Sequence, residues 1–88
     1  MKRTHPGQLR SIVAANIRRF RKARGISQQD FALEIEMDRT YFGGVERGER
    51  NVSVDNIERI ANGLGVPASE LLCDLEGDGA RKKKSEAP

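Results

Sequence analysis

Residues 25–51 read GISQQDFALEIEMDRTYFGGVERGERN. Two helix starts of one design lie inside this stretch. In the first, Ser27 can accept hydrogen bonds from the free backbone N–H groups that open a helix, and Ile26 before it can pack on Phe31 after it. In the second, Asp38 is the cap and Met37 packs on Phe42. A third copy follows downstream, with Ser53 as cap, Val52 before it and Ile57 after it. These starts predict helices over about 28–35, 39–47 and 54–64. Only Glu36 and Met37 intervene between the first helix and the cap of the second, so the turn joining them is tight.

Working outward, Leu9, Ile12, Val13, Ile17 and Phe20 form one stripe at the helical period. Gly25 stands where a helix commonly ends in the left-handed region, which predicts a first helix over about 8–24. In the fourth helix Val54, Ile57, Ile60, Ala61 and Leu64 are expected to face inward, with Gly65 beyond its end. Pro67 opens a short fifth helix carrying Leu71 and Leu72. No segment alternates at the strand period. The expected fold is therefore all-α, five short helices without strands. Residues 1–8 read as a flexible basic leader, 9–76 as one domain, and the terminal GDGARKKKSEAP, 77–88, as a disordered basic tail.

Composition narrows the function classes. In 88 residues, 36% are apolar and none is Trp, enough for one modest core. Cys73 is the single cysteine, which excludes an intrachain disulfide and a cysteine-based metal site and suits a reducing cytoplasm. No apolar run approaches the roughly 20 residues of a membrane span, and the basic N-terminus lacks the apolar core of a signal peptide. No paired carboxylates, Cys–His arrangement, phosphate loop or metal-ligand spacing occurs, and His5 stands alone. No catalytic residue, metal or cofactor is expected.

Charge is unevenly placed. Residues 1–25 carry eight basic side chains (Lys2, Arg3, Arg10, Arg18, Arg19, Arg21, Lys22 and Arg24) and no acid, whereas residues 26–77 carry eleven acids against four arginines. A one-signed segment suits a polyanion partner. The alternative is a solvated helix face neutralised in space by the acidic half.

The helix that starts after Asp38 adds detail. Phe42 and Val45 face the core, with Glu46 beside them. Thr40, Gly43, Gly44 and Arg47 fall on the opposite face, and Arg39 projects near the N-terminal end. A helix lying in the major groove presents such an end to base edges. Arg can bond guanine bidentately, and Thr can offer its hydroxyl or its methyl. Each glycine costs about 1 kcal/mol of helix propensity against alanine. Their absent side chains let the helix backbone lie close either to DNA or to a neighbouring helix.

GISQQDFALEIEMDRTYFGGVERGERN, with SVDNIERIANGLGVPASELL after it, is similar to the Cro/repressor-type (XRE-like, lambda-repressor-like) helix-turn-helix family over about residues 9–72. Within it, DRTYFGGVERGERN looks most like the controller proteins of restriction–modification systems. The resemblance implies a cytoplasmic transcriptional regulator of the bacterial or phage type. It implies a homodimer that binds double-stranded DNA at an inverted-repeat operator and governs its own gene and that of the endonuclease. By position it gives Gln28 a phosphate contact. Arg39, Thr40 and Gly44 take base-contacting places with Tyr41 beside them, and Arg47, Arg50 and Asn51 take phosphate-contacting places. Arg21 and Glu46 match a structural ion pair.

The chain departs from the family pattern at Glu36, where glycine is common. If that position requires φ > 0, it stores about 1 kcal/mol of strain. One small domain makes few base contacts, so useful specificity calls for a second copy. Leu71 and Leu72 are the expected subunit contact, and Cys73 is expected to be buried or to join it. RNA polymerase is the candidate further partner, through the acids Glu34, Glu36 and Glu49 unless these are ordinary solvated charge. Two other readings remain: the antitoxin of a toxin–antitoxin pair, disfavoured by a short tail nearly free of apolar residues, and a protein-interaction module. The latter should expose aliphatic side chains on the outer face of the 39–47 helix.

Overall fold

Five helices follow one another: α1 (Leu9–Arg24), α2 (Gln28–Glu34), α3 (Arg39–Glu46), α4 (Val54–Leu64) and α5 (Ala68–Leu72). The structure, a computed structural model, describes residues 7–74, and none of these forms a strand. Most of the expected leader (residues 1–6) and the whole expected tail lie outside the described residues.

The capping chemistry sets the helix starts. Ser27 Oγ accepts from Asp30 N–H at 3.0 Å, Asp38 Oδ2 from Tyr41 N–H at 2.8 Å, and Ser53 Oγ from Asn56 N–H at 3.1 Å. Each closes one of the unpaired donors of a first helical turn. The helix ends share a device as well. At the close of α2, Met37 N–H reaches back to Ala32 O at 2.8 Å and Glu36 N–H to Leu33 O at 3.0 Å. This pair of hydrogen bonds needs a left-handed residue. At the ends of α1, α3 and α4 that residue is Gly25, Gly48 or Gly65, and at the end of α2 it is Glu36, with φ 56°.

Glu36 therefore sits in a conformation that L-residues resist by about 1–2 kcal/mol, while glycine adds some entropy to the unfolded chain. Glu36→Gly should raise stability by about 0.5–1 kcal/mol, read as a higher urea midpoint at unchanged m-value. An unchanged or lower midpoint would show that the turn is not strained.

α1 packs against α3, α4 and α5, and α2 packs against α3. Val13, Ile17, Phe31, Ala32, Met37, Phe42, Val45, Ile60, Ala61, Leu64 and Leu71 form the buried cluster. The rings of Phe31 and Phe42 lie 5.4 Å apart, tilted by 51°, an arrangement that favours aromatic pairs. Behind Phe31 the backbone of α4 comes close: a Cβ at Gly63 would stand 2.5 Å from Ile35 Cγ2 and 3.0 Å from Phe31 Cζ. Gly63→Ala should thus overpack this contact and cost about 1–3 kcal/mol, although alanine is the better helix former. Thermal denaturation checks it, and a stabilised variant would mean that α4 can slide away freely.

Three apolar assignments need correction. Leu71, expected at a subunit contact, is 0% exposed and belongs to the core of its own chain. Its side chain therefore has no surface to offer a second copy. Leu9, expected in the apolar stripe of the first helix, and Val54, expected to face inward, are 52% and 79% exposed. Both lie in the first turn of their helices, where the stripe runs past the end of the core.

Asn16, which falls within the apolar pattern of α1, is buried. Its amide nitrogen donates to Leu71 O and Cys73 O, each at 2.8 Å, and its oxygen accepts from Arg19 Nη2 at 2.6 Å. A five-residue helix cannot satisfy its own last carbonyls. α1 does it for α5.

Candidate nucleic-acid interface

The orientation of α3 rests on one buried carboxylate. Glu46 closes α3 and is 2% exposed. Its Oε2 accepts from Arg21 Nε at 2.6 Å, and its Oε1 accepts from Arg21 Nη2 at 3.0 Å and from Gln28 Nε2 at 2.9 Å. Arg21 Nη1 also donates to Ile26 O at 2.9 Å. Arg18 donates to the backbone carbonyl of Glu46. The end of α1, the start of α2 and the end of α3 are thus joined through one set of charge-assisted bonds. Such a network fixes how α3 is presented, and it also places Gln28 beside α3.

The surface that results is concave. Gln28 and Gln29 at the start of α2, with Arg39, Thr40, Gly43 and Arg47 of α3 and its end, line an open polar depression of about 460 Å³. Two guanidinium groups line it and no carboxylate does, with Glu49 paired to Arg47 at its edge at 3.1 Å. Arg39 and Thr40 are exposed. Chemically the surface offers donors to an anionic, hydrogen-bonding partner. The exposed large apolar residues of the described chain are Leu9, Leu33, Val54 and Leu72, none of them on α3. That disfavours an interaction module built on this face.

The two glycines of α3 are buried rather than bare. A Cβ at Gly43 would stand 3.2 Å from Gln28 Oε1 and from Arg47 Nη1. At Gly44 it would stand 2.8 Å from Arg50 Cγ and 3.0 Å from Arg50 Nε. The space expected to admit DNA at Gly44 is filled by Arg50 of the following loop. Tyr41 is half-buried beside it and accepts a hydrogen bond at its hydroxyl from Asn56 Nδ2 at 3.2 Å.

Of the residues expected to touch DNA, the structure brings Gln28, Arg39, Thr40 and Arg47 to one concavity, with Tyr41, Gly44 and Arg50 on the adjoining side of α3. Asn51 does not join them. It lines a separate, more apolar groove with Leu9, Val13, Val52, Ile57 and Leu72. The acids considered for a polymerase contact are partly engaged: Glu34 pairs with Arg24 and Glu49 with Arg47, each at 3.1 Å. Among the described residues no group of three or more His, Cys, Asp or Glu could hold a metal ion. No helix there is long and apolar enough to cross a membrane.

A turn-linked helix pair with a polar, cationic outer face is the hallmark of DNA-reading helix pairs, and comparison with known proteins agrees. Residues 17–71 match the helix-turn-helix family model HTH_3. The chain belongs to this helix-turn-helix family. It is a DNA-binding regulator of transcription, and α2 and α3 are its helix-turn-helix unit. Control protein C.MunI of a Mycoplasma species is 46% identical over 61 residues, covering 68% of this chain and 82% of its own. A hypothetical transcription factor from Neisseria superposes with a TM-score of 0.75 at 36% identity, over 97% of this chain and 95% of its own. The restriction–modification controller C.Esp1396I, solved as a tetramer with its natural 35-base-pair operator, gives a TM-score of 0.67 at 33% identity, over 77% of this chain and all of its own.

Proposed function

We propose that this helix-turn-helix protein is a homodimeric controller of a restriction–modification system, binding an inverted-repeat operator near its own gene and that of the endonuclease. One observation carries the DNA-reading part: the concavity of α2 and α3 is lined by Arg39, Thr40 and Arg47 and by no acid. Arg39 and Thr40, at the N-terminal end of α3, are the base-reading pair. Gln28, Arg47 and Arg50 hold phosphates and set the register. The similarity to control proteins supports the regulatory assignment.

The dimer is supported by a second surface. Leu9 and Leu72 are 52% and 40% exposed, and they meet in the groove that also holds Val52 and Ile57. A second copy seated there would cover the stripe that α1 and α5 leave open. With one α3 from each subunit in the major groove, half-sites lie about one helical turn apart, roughly 34–36 Å.

The test is selection of bound duplexes from a random DNA pool, with affinities measured at two salt concentrations. The expected product is an inverted repeat with half-sites a turn apart, recurring upstream of the chain's own coding sequence. Salt-sensitive binding without an enriched motif would reduce the surface to a basic patch and remove the controller reading. Sedimentation of the free protein tests the dimer separately.

A further inference from the structure

We propose that Gly44, Tyr41 and Asn56 act on DNA through Arg50: together they form a cradle that holds this loop arginine against α3, in position for a phosphate. The inference rests on α3 being the DNA-reading helix. It replaces a direct DNA contact by Gly44 and Tyr41 with a positioning role for both.

The loop geometry comes first. α3 ends in a turn in which Glu49 N–H bonds Gly44 O at 2.9 Å and Gly48 N–H bonds Val45 O at 3.0 Å, with Gly48 at φ 77°. This turn sends the chain back along the outer side of α3. Arg50 then lies over the helix rather than away from it. Its stem crosses Gly44 so closely that any Cβ there would stand 2.8 Å from Arg50 Cγ. Gly44 therefore contributes twice, with a carbonyl that holds the turn and an absent side chain that admits the arginine stem.

The far end of Arg50 is held as well. Its guanidinium carbon lies 5.6 Å from the centroid of the Tyr41 ring, within the range of cation–π attraction. The ring is in turn fixed from α4, because Asn56 Nδ2 donates to the Tyr41 hydroxyl at 3.2 Å. Arg50 itself is exposed and belongs to none of the salt bridges among the described residues. An arginine otherwise surrenders much rotamer freedom on meeting a phosphate. Holding it in advance lowers that cost, which is how preorganisation raises affinity.

The experiment is a set of double-mutant cycles on operator binding, using the full chain and the selected duplex at several salt concentrations. Arg50→Ala should weaken binding roughly tenfold or more. It should also lower the salt slope by about 0.9 per subunit for each phosphate that is no longer neutralised. Gly44→Ala should reproduce most of that weakening while lowering the melting temperature little, since the helix propensity gained by alanine offsets part of the cost of displacing the Arg50 stem. Tyr41→Ala should behave like Gly44→Ala, whereas Tyr41→Phe and Asn56→Ala, which keep the ring but remove the bond that fixes it, should each cost a smaller and similar part of the affinity.

In the Arg50→Ala background, Gly44→Ala, Tyr41→Ala and Asn56→Ala should each cost almost nothing further. Undiminished costs in that background would mean that DNA touches Gly44 or Tyr41 directly, and the cradle would be overturned. Unaltered operator affinity in Arg50→Ala, with Arg39→Ala still damaging, would overturn the proposal and leave the functional reading intact. A wild-type chain that enriches no duplex would remove both.

Discussion

Glu46→Ala should remove most of the stability of the domain and leave a substantial unfolded fraction at 37 °C. The substitution removes the acceptor of Arg21 Nε and Nη2 and of Gln28 Nε2, with bonds of 2.6, 3.0 and 2.9 Å. Arg21 keeps only its bond to Ile26 O, and its side chain is 10% exposed. Breaking a buried pair from one side costs about 3–5 kcal/mol, because the remaining charge is stranded. A domain of this size has on the order of 5 kcal/mol to lose.

Removing both partners should differ in kind. Arg21→Met with Glu46→Leu strands no charge, so most of the stability should return. That double variant should nonetheless bind the operator weakly, because Gln28 has lost the carboxylate that orients it. Urea titration of Glu46→Ala and of the double variant, beside operator affinity of the latter, separates stability from presentation. If Glu46→Ala cost less than about 1 kcal/mol, α3 would be held by apolar packing alone.

The helix starts were legible because each depends on neighbours in sequence. Ser27, Asp38 and Ser53 cap donors three residues away, and the apolar residue before each cap anticipates the one after it. The left-handed Glu36 was also within reach, through the resemblance, because glycine is common at that position of the family pattern. What failed depended on partners distant in the chain. Leu71 and Leu72 look alike in sequence, yet the first is fully buried and the second 40% exposed. Only the packing of α1 and α4 against α5 separates them.

Asn16 is not legible in the sequence because its partners are backbone atoms 55 and 57 residues away, which no periodicity reveals. The glycines show the same limit. Gly43 and Gly44 announced that something lies close to α3, but whether it is DNA, another helix or a side chain depends on the path of the loop. That path is fixed by the turn at Gly48. The exposed start of α3 was easier, since Arg39 and Thr40 follow directly from the position of the Asp38 cap.

Arg39→Ala should have the largest effect on operator recognition and almost none on folding. Arg39 is exposed at the first position of α3 and belongs to none of the salt bridges among the described residues, so its removal disturbs no packing. A bidentate arginine–guanine pair contributes about 1–3 kcal/mol of discrimination. A dimer forfeits it at both half-sites, which are far enough apart for the two effects to add. The operator should therefore be bound about 2–6 kcal/mol less tightly, a factor from roughly 30 to more than 10⁴.

The signature lies in what stays constant. A base contact releases no additional counterion, so the salt slope should hardly move and binding to random duplex should be nearly unchanged. Arg39→Lys should not restore the discrimination, because an ammonium cannot match two acceptors with a planar fork. Competition of operator against duplexes altered at one base pair per half-site, for wild type and both variants, provides the measurement. Weakening spread evenly over every sequence, with a reduced salt slope, would place Arg39 on a phosphate and shift base reading to Thr40 and the shape of the groove.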